Sequence, residues 1–188
     1  MAKRVFLIHG WGSSPQDGWK PWLKRELEKR GLEAYVPQMP DTNTPKMDAW
    51  LAKMKEVVGK VDENTFFVGH SLGSVAIPRY LESLAEGEVA GGAVLVAGFS
   101  DDLGIPEIKN FFPRPLEWAK IKSQCKKFIA IHSDNDYYVA LKYGEEFREK
   151  LGAKLIIMHD HFHFSSADGF KKLPVLLESI LEVAGEKD

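Results

Sequence analysis

Short runs of β-branched and aromatic residues alternate along this chain with longer stretches in which apolar side chains recur every three to four positions. The first pattern marks strands and the second marks amphipathic helices, and their regular alternation signals β-α units assembled into a parallel sheet. Strands are predicted at Arg4–Ile8, Glu33–Val36, Thr65–Val68, Ala93–Ala97, Phe128–His132 and Lys154–Met158. Helices are predicted near Trp19–Lys29, Lys46–Val58, Ser74–Leu84, Leu141–Leu151 and Lys171–Val183. In the first helix Trp19, Trp22, Leu23 and Leu27 share one face, while Lys20, Lys24 and Glu28 fall on the other. Right-handed crossovers place helices on both sides of the sheet. The expected fold class is therefore α/β, a doubly wound, mainly parallel six-stranded sheet with helices on both faces.

Length and composition narrow this further. A chain of 188 residues with 44% hydrophobic side chains builds one core, so a single domain over 1–188 is expected, with a short cap-like segment at 99–119. Acidic and basic residues are interspersed and the formal charge is -2, which leaves no basic stripe for nucleic acid or an anionic membrane. Cys125 stands alone and has no partner for an internal disulfide. The first apolar run, Val5 to Ile8, is far too brief for a signal or membrane segment, so a cytoplasmic location is expected.

In a doubly wound sheet, ligands bind beyond the carboxyl ends of the strands, which directs attention to the segments after each strand. After the third comes Gly69-His70-Ser71-Leu72-Gly73, a G-x-S-x-G stretch between an apolar strand and a helical pattern. A serine hydroxyl is a poor nucleophile unless a sharp turn lifts it from the sheet and a base stands beside it. The glycines let strand and helix approach around Ser71. Alone, the pattern can be an ordinary turn; in this context it points to a nucleophile elbow.

Two carboxylates follow the fifth strand, in His132-Ser133-Asp134-Asn135-Asp136-Tyr137-Tyr138-Val139. Asp136 is the candidate acid; at least one of the pair caps a helix or stabilises the turn. After the sixth strand, His159-Asp160-His161-Phe162-His163 supplies three alternating imidazoles, of which His163 is the candidate base and His161 the runner-up. If the strand continued, all three would share one face and could ligate zinc, but the elbow serine would then lack a base. No metal and no cofactor is expected.

Acyl transfer also needs two backbone N–H groups aimed at the developing oxyanion. The Leu72 amide follows the nucleophile, and Trp11, in the loop His9-Gly10-Trp11-Gly12-Ser13-Ser14, offers the second. A dinucleotide phosphate cradle would require glycine where Pro15 stands.

These segments resemble the α/β-hydrolase superfamily and, within it, the small serine hydrolases related to retinoblastoma-binding protein 9 and YdeN. The resemblance rests on His9-Gly10-Trp11, Trp19-Lys20-Pro21-Trp22-Leu23, Met39-Pro40-Asp41 with Trp50, Gly69-His70-Ser71, and Ser100-Asp101-Asp102-Leu103-Gly104. It continues through the string Phe111-Phe112-Pro113-Arg114-Pro115-Leu116-Glu117-Trp118-Ala119-Lys120-Ile121-Lys122 and closes on Asp136 and His163-Phe164. It implies a minimal α/β-hydrolase fold and a triad of Ser71, Asp136 and His163. His132, Tyr137 and Phe162 depart from the family's frequent glycine, proline and glycine. The family's vertebrate member is associated with the retinoblastoma protein through L-x-C-x-E, which is absent around Cys125, so that partner is not carried over.

The expected activity is hydrolysis of a small ester, thioester or amide through an acyl-enzyme, carboxylesterase-like, with peptidase activity also open. The alternative is a protein-interaction module on a hydrolase fold with slight activity. The expected partner is a small-molecule or peptide substrate. Trp11, Phe111, Phe112 and Trp118 suggest an apolar substrate pocket.

Overall fold

The structure, a computed structural model, describes residues 2–186. Six strands, β1 (Arg4–Ile8), β2 (Glu33–Tyr35), β3 (Thr65–His70), β4 (Gly92–Val96), β5 (Phe128–Ser133) and β6 (Lys154–Met158), form one sheet in the order β2-β1-β3-β4-β5-β6. Every pairing is parallel, so the sheet is wholly rather than mainly parallel.

Strand alternation sorts the core into two layers. Phe6 and Ile8 of β1 join one cluster and Val5 and Leu7 the other, as a period of two requires. The first layer is covered by α2 (Met47–Val58), α3 (Gly73–Glu82), α4 (Trp118–Ser123) and α5 (Lys142–Leu151), through Trp50, Met54, Ile77, Tyr80, Ile121 and Phe147. The second is covered by α1 (Lys20–Glu28) and α6 (Pro174–Ala184), through Leu23, Leu27, Leu176 and Ile180.

Several boundaries differ from the sequence expectation by one to three residues, and in β3, β4 and α6 the local reason is plain. β3 runs two residues further, because Gly69 and His70 still pair with Leu95 and Val96. β4 stops at Val96, where Ala97 turns left-handed with φ 46°. α6 starts at Pro174, a residue suited to the first helical turn and unsuited to its interior.

The stretch expected to form a cap holds a 3-10 turn at Pro106–Phe111 and then α4. It is fastened to α3 by a buried cation. The Arg79 guanidinium donates to Phe111 O at 2.9 Å, Arg114 O at 2.5 Å and Glu82 Oε2 at 3.0 Å. Glu82 in turn accepts from the Glu117 amide at 2.5 Å and meets Arg114 at 3.2 Å. Among the described residues no helix is long and apolar enough to cross a membrane.

Candidate active site

Parallel register brings the ends of β1, β3, β4, β5 and β6 to one rim, with Ile8 beside Gly69, His70 beside Val96, and Ser133 beside Met158. Ser71 sits at the turn from β3 to α3 with φ 53°, a left-handed conformation that costs a non-glycine residue about 1–3 kcal/mol and persists where surrounding structure enforces it. Here the enforcement is steric. A β-carbon at Gly69 would lie 2.7 Å from the Ser74 backbone, and one at Gly73 only 2.1 Å from the Ile8 carbonyl oxygen. The elbow therefore packs bare backbone against both its own helix and the end of β1. Ser71 N–H donates to Val96 O at 2.9 Å, fixing the turn to β4.

The loop after β5 presents Asp136, whose Oδ1 accepts from the amides of Tyr138 at 2.8 Å and Val139 at 3.0 Å. Its Oδ2 accepts from His163 Nδ1 at 2.8 Å. Both side chains are withdrawn from solvent, at 1% and 9% exposure, so the pair is weakly screened. Asp134 holds the turn instead: it accepts from the Asp160 amide at 3.1 Å and from His159 Nδ1 at 2.5 Å. His159 is held protonated to higher pH by that Asp134 hydrogen bond and charge.

The three histidines do not share a face. β6 ends at Met158, and the backbone then becomes left-handed at alternate residues, with φ 55° at Asp160, 46° at Phe162 and 57° at Phe164. That winding turns His159 out to Asp134, stacks His161 on Phe170 at 5.0 Å, and leads His163 inward to Asp136. Among the described residues no three metal-ligating side chains converge. The family's frequent glycine before the histidine also has a local reason, since Phe162 occupies a conformation that glycine adopts without cost.

Residues that the sequence named in motifs without a role at the site hold this arrangement. His70 Nε2–H donates to His163 O at 2.7 Å, and Trp19 Nε1–H donates to Phe164 O at 3.0 Å, so the backbone of the histidine loop is clamped twice. Burial pushes His70 well below the ordinary histidine range, and it stays neutral. His9 is buried too: its Nε2 accepts from the Met39 amide at 3.0 Å, which places the proton on Nδ1, donating to Gly10 O at 2.9 Å. One imidazole thus ties the loop after β1 to the chain beyond β2. Nothing in the sequence distinguishes these buried histidines from surface ones; their roles follow from the rim where the strands end.

Around Ser71 lies a cleft of about 430 Å³. One wall, Phe99, Leu103, Ile105, Ile108 and Val139, is apolar and continues the core beneath α3. The opposite wall, Ser13, Asp17, Lys20, Ser165 and Ser166, is polar and lies towards Trp19 and Phe164 of the other layer. His163 and Tyr138 also line it. Leu72 and Trp11 border the same space, and neither amide donates to another described residue.

Of the aromatic residues expected at the substrate pocket, Trp11 lines the cleft, with its indole bonded to Asn43 O at 3.0 Å. Phe111, Phe112 and Trp118 do not. Phe111 packs edge-on against Trp50 in the core, Phe112 lies between Phe99 and Arg79, and Trp118 packs on Phe147. Burying such large apolar faces stabilises each by a few kcal/mol, and the core outcompeted the cleft for them. The aliphatic members of the segment, Leu103, Ile105 and Ile108, face the cleft instead. Lys20 is also displaced from expectation. Read as part of the solvated face of α1, it is 4% exposed.

Residues 5–181 match the family described as Serine hydrolase. The chain belongs to the serine hydrolase family. Its relatives in that family include YdeN of Bacillus subtilis (strain 168), 32% identical over 179 residues that cover 95% of this chain and 94% of YdeN. Serine hydrolase RBBP9 of Rattus norvegicus is likewise 32% identical over 179 residues, covering 94% and 93% of the two chains. The crystal structure of the B. subtilis ydeN product superposes with a TM-score of 0.92 at 30% identity over 98% of this chain and all of that one. Est1E from Butyrivibrio proteoclasticus shares the fold alone, with a TM-score of 0.76 at 13% identity over 98% and 89% of the two chains. The minimal α/β-hydrolase fold and the hydrolase class of this serine hydrolase are thereby established.

Proposed function

We propose that this serine hydrolase cleaves a small carboxylic ester, thioester or amide by two-step acyl transfer on Ser71. The observation that supports the reading most is the shared cleft: a strained, half-exposed serine and an imidazole already bonded to a buried carboxylate border one space. Because Nδ1–H of His163 is donated to Asp136, Nε2 is the nitrogen free to accept the Ser71 proton. Ser71 Oγ attacks the carbonyl carbon as that proton moves to His163 Nε2. The resulting oxyanion accepts hydrogen bonds from the Leu72 and Trp11 amides. Collapse expels the leaving group, which takes the proton from His163, and a water activated by the same imidazole releases the acid. Asp136 keeps the imidazole in the useful tautomer and stabilises its cation.

A fluorophosphonate probe tests the reading directly. Wild type is labelled at Ser71, and Ser71→Ala is neither labelled nor able to turn over p-nitrophenyl esters. Labelling that persists in Ser71→Ala overturns it. His163→Ala lowers kcat at least about a thousandfold, whereas His161→Ala, which removes the stack on Phe170, the contact with Phe164 and the hydrogen bond to His159 O but no group bonded to Asp136, changes kcat less than about fivefold. The reverse order would assign the base to the wrong imidazole.

A further inference from the structure

We propose that Lys20 makes the polar wall of the cleft a recognition site for an anionic group, so that the preferred substrates carry a carboxylate or comparable oxyanion remote from the scissile carbonyl. This rests on the acyl-transfer reading of the same cleft. Lys20 stands at the start of α1, next to Trp19, with only 4% of its surface exposed, yet it lines the cleft. Its ammonium has three N–H donors and makes one hydrogen bond, to Ser13 Oγ at 3.1 Å. The Trp19 ring, 5.5 Å away, offers a π-face rather than an acceptor atom.

The nearest carboxylate does not complete the set. Asp17 Oδ2 is engaged by Ser13 Oγ at 3.1 Å and by the Ser14 amide at 2.6 Å, and it forms no ion pair with Lys20. A buried ammonium without a full partner set carries a desolvation cost that a ligand anion can offset. Burial lowers Lys20 to a pKa of about 8 against the attraction of the nearby Asp17 charge, which leaves it mostly cationic at neutral pH. The same wall supplies a further hydroxyl donor on Ser166, whereas the Ser165 hydroxyl is donated to Asp168 Oδ2 at 2.7 Å. Across the cleft, Leu103, Ile105 and Ile108 suit an apolar moiety, so a fitting substrate is amphiphilic, with the cleaved carbonyl between its two ends.

Two matched pairs of esters separate the acyl from the leaving-group side. They are the mono-p-nitrophenyl ester of adipic acid against p-nitrophenyl hexanoate, and m-carboxyphenyl acetate against phenyl acetate. The quantity read is the ratio of kcat/KM for the charged over the neutral member, which cancels intrinsic reactivity when wild type is compared with Lys20→Met. The expected result is a fall of at least tenfold in that ratio in one pair, with Lys20→Arg retaining part of it. An unchanged ratio in both pairs overturns the proposal, even though fluorophosphonate labelling of Ser71 would leave the hydrolase reading standing.

Binding provides a readout that needs no turnover. In a Ser71→Ala background, monomethyl adipate is expected to bind at least tenfold more weakly once Lys20→Met is added, while dimethyl adipate loses less than threefold, monitored by fluorescence of the cleft indoles. Equal losses for the charged and neutral ligands would also overturn the proposal. If Ser71 resists labelling while this charge-selective loss persists, the anion site stands and acyl transfer falls.

Discussion

Among the described residues of this hydrolase Arg79 and Lys20 are both buried cations, and they are solved in opposite ways. Arg79 is enclosed by carbonyls of Phe111, Arg114 and Pro115 and by the carboxylate of Glu82. Lys20 has one hydroxyl. Arg79 has its partners wherever the protein is folded, and its use is to hold the Phe111–Glu117 stretch on α3. Lys20 is left short of partners beside the cleft, where something arriving from solution can supply them. A buried charge whose partners all come from the chain speaks of architecture; one whose partners are incomplete and adjacent to a site speaks of binding.

The contrast breaks most readily at Arg79. Replacing Arg79 with Met strands Glu82 with only Arg114 and the Glu117 amide, and should cost about 3 kcal/mol or more in urea unfolding. A loss below about 1 kcal/mol would mean that the enclosed guanidinium does not fasten the segment.

A third buried group sharpens the comparison by having no partner at all. Neither ring nitrogen of His132 is hydrogen-bonded among the described residues, and the ring lies against Gly144 and Phe147. Burial lowers its pKa to about 4, against an attraction from Asp136 and a further depression by His163. The unfolded chain therefore takes up a proton near pH 6.5 that the folded chain refuses until about pH 4. Stability is intact above that window and falls as pH drops through it, by up to about 3 kcal/mol from this residue. His9 and His70, also lowered by burial, act in the same direction. His132→Leu should flatten the slope and raise stability at pH 7 by about 1 kcal/mol, since two buried polar atoms without partners disappear. An unchanged acid limb would show that the ring titrates as if exposed.

The smallest effect is expected at Lys20. Lys20→Met should leave stability at pH 7 unchanged or raise it by about 1 kcal/mol, because an incompletely paired ammonium is removed. With a folded pKa lowered to about 8 from 10.5, wild type binds fewer protons than its unfolded chain between those values, so its stability rises with pH across them. The variant lacks that rise. Strong destabilisation by Lys20→Met would recast the lysine as a second Arg79.

The architecture was legible because its signals are periodic. Val5 and Leu7 against Phe6 and Ile8, or Leu23 with Leu27, repeat at spacings that only a strand or a helix satisfies. The elbow was legible as a motif, though the contact of Gly73 with the Ile8 carbonyl was not, since it joins segments far apart in the chain. Phe111, Phe112 and Trp118 misled because aromatic character suits a core as well as a pocket. Lys20 misled for the converse reason: on a helical wheel it belongs to the wet side, and no periodicity records that the loop from Gly10 to Ser14 folds over its head. Similarly, the alternating left-handed residues after β6 separate three histidines that an extended strand would have aligned.

The contact of Gly73 with the carbonyl at the end of β1 has one more consequence. The spacing between the Ser71 turn and the loop that faces it is set by main-chain atoms touching main-chain atoms, with no side chain between them to trim or enlarge. Descendants of this chain can therefore exchange Leu103, Ile105 or Lys20 along the cleft while the turn at Ser71 keeps its dimensions, an arrangement that separates what is free to drift from what must stay.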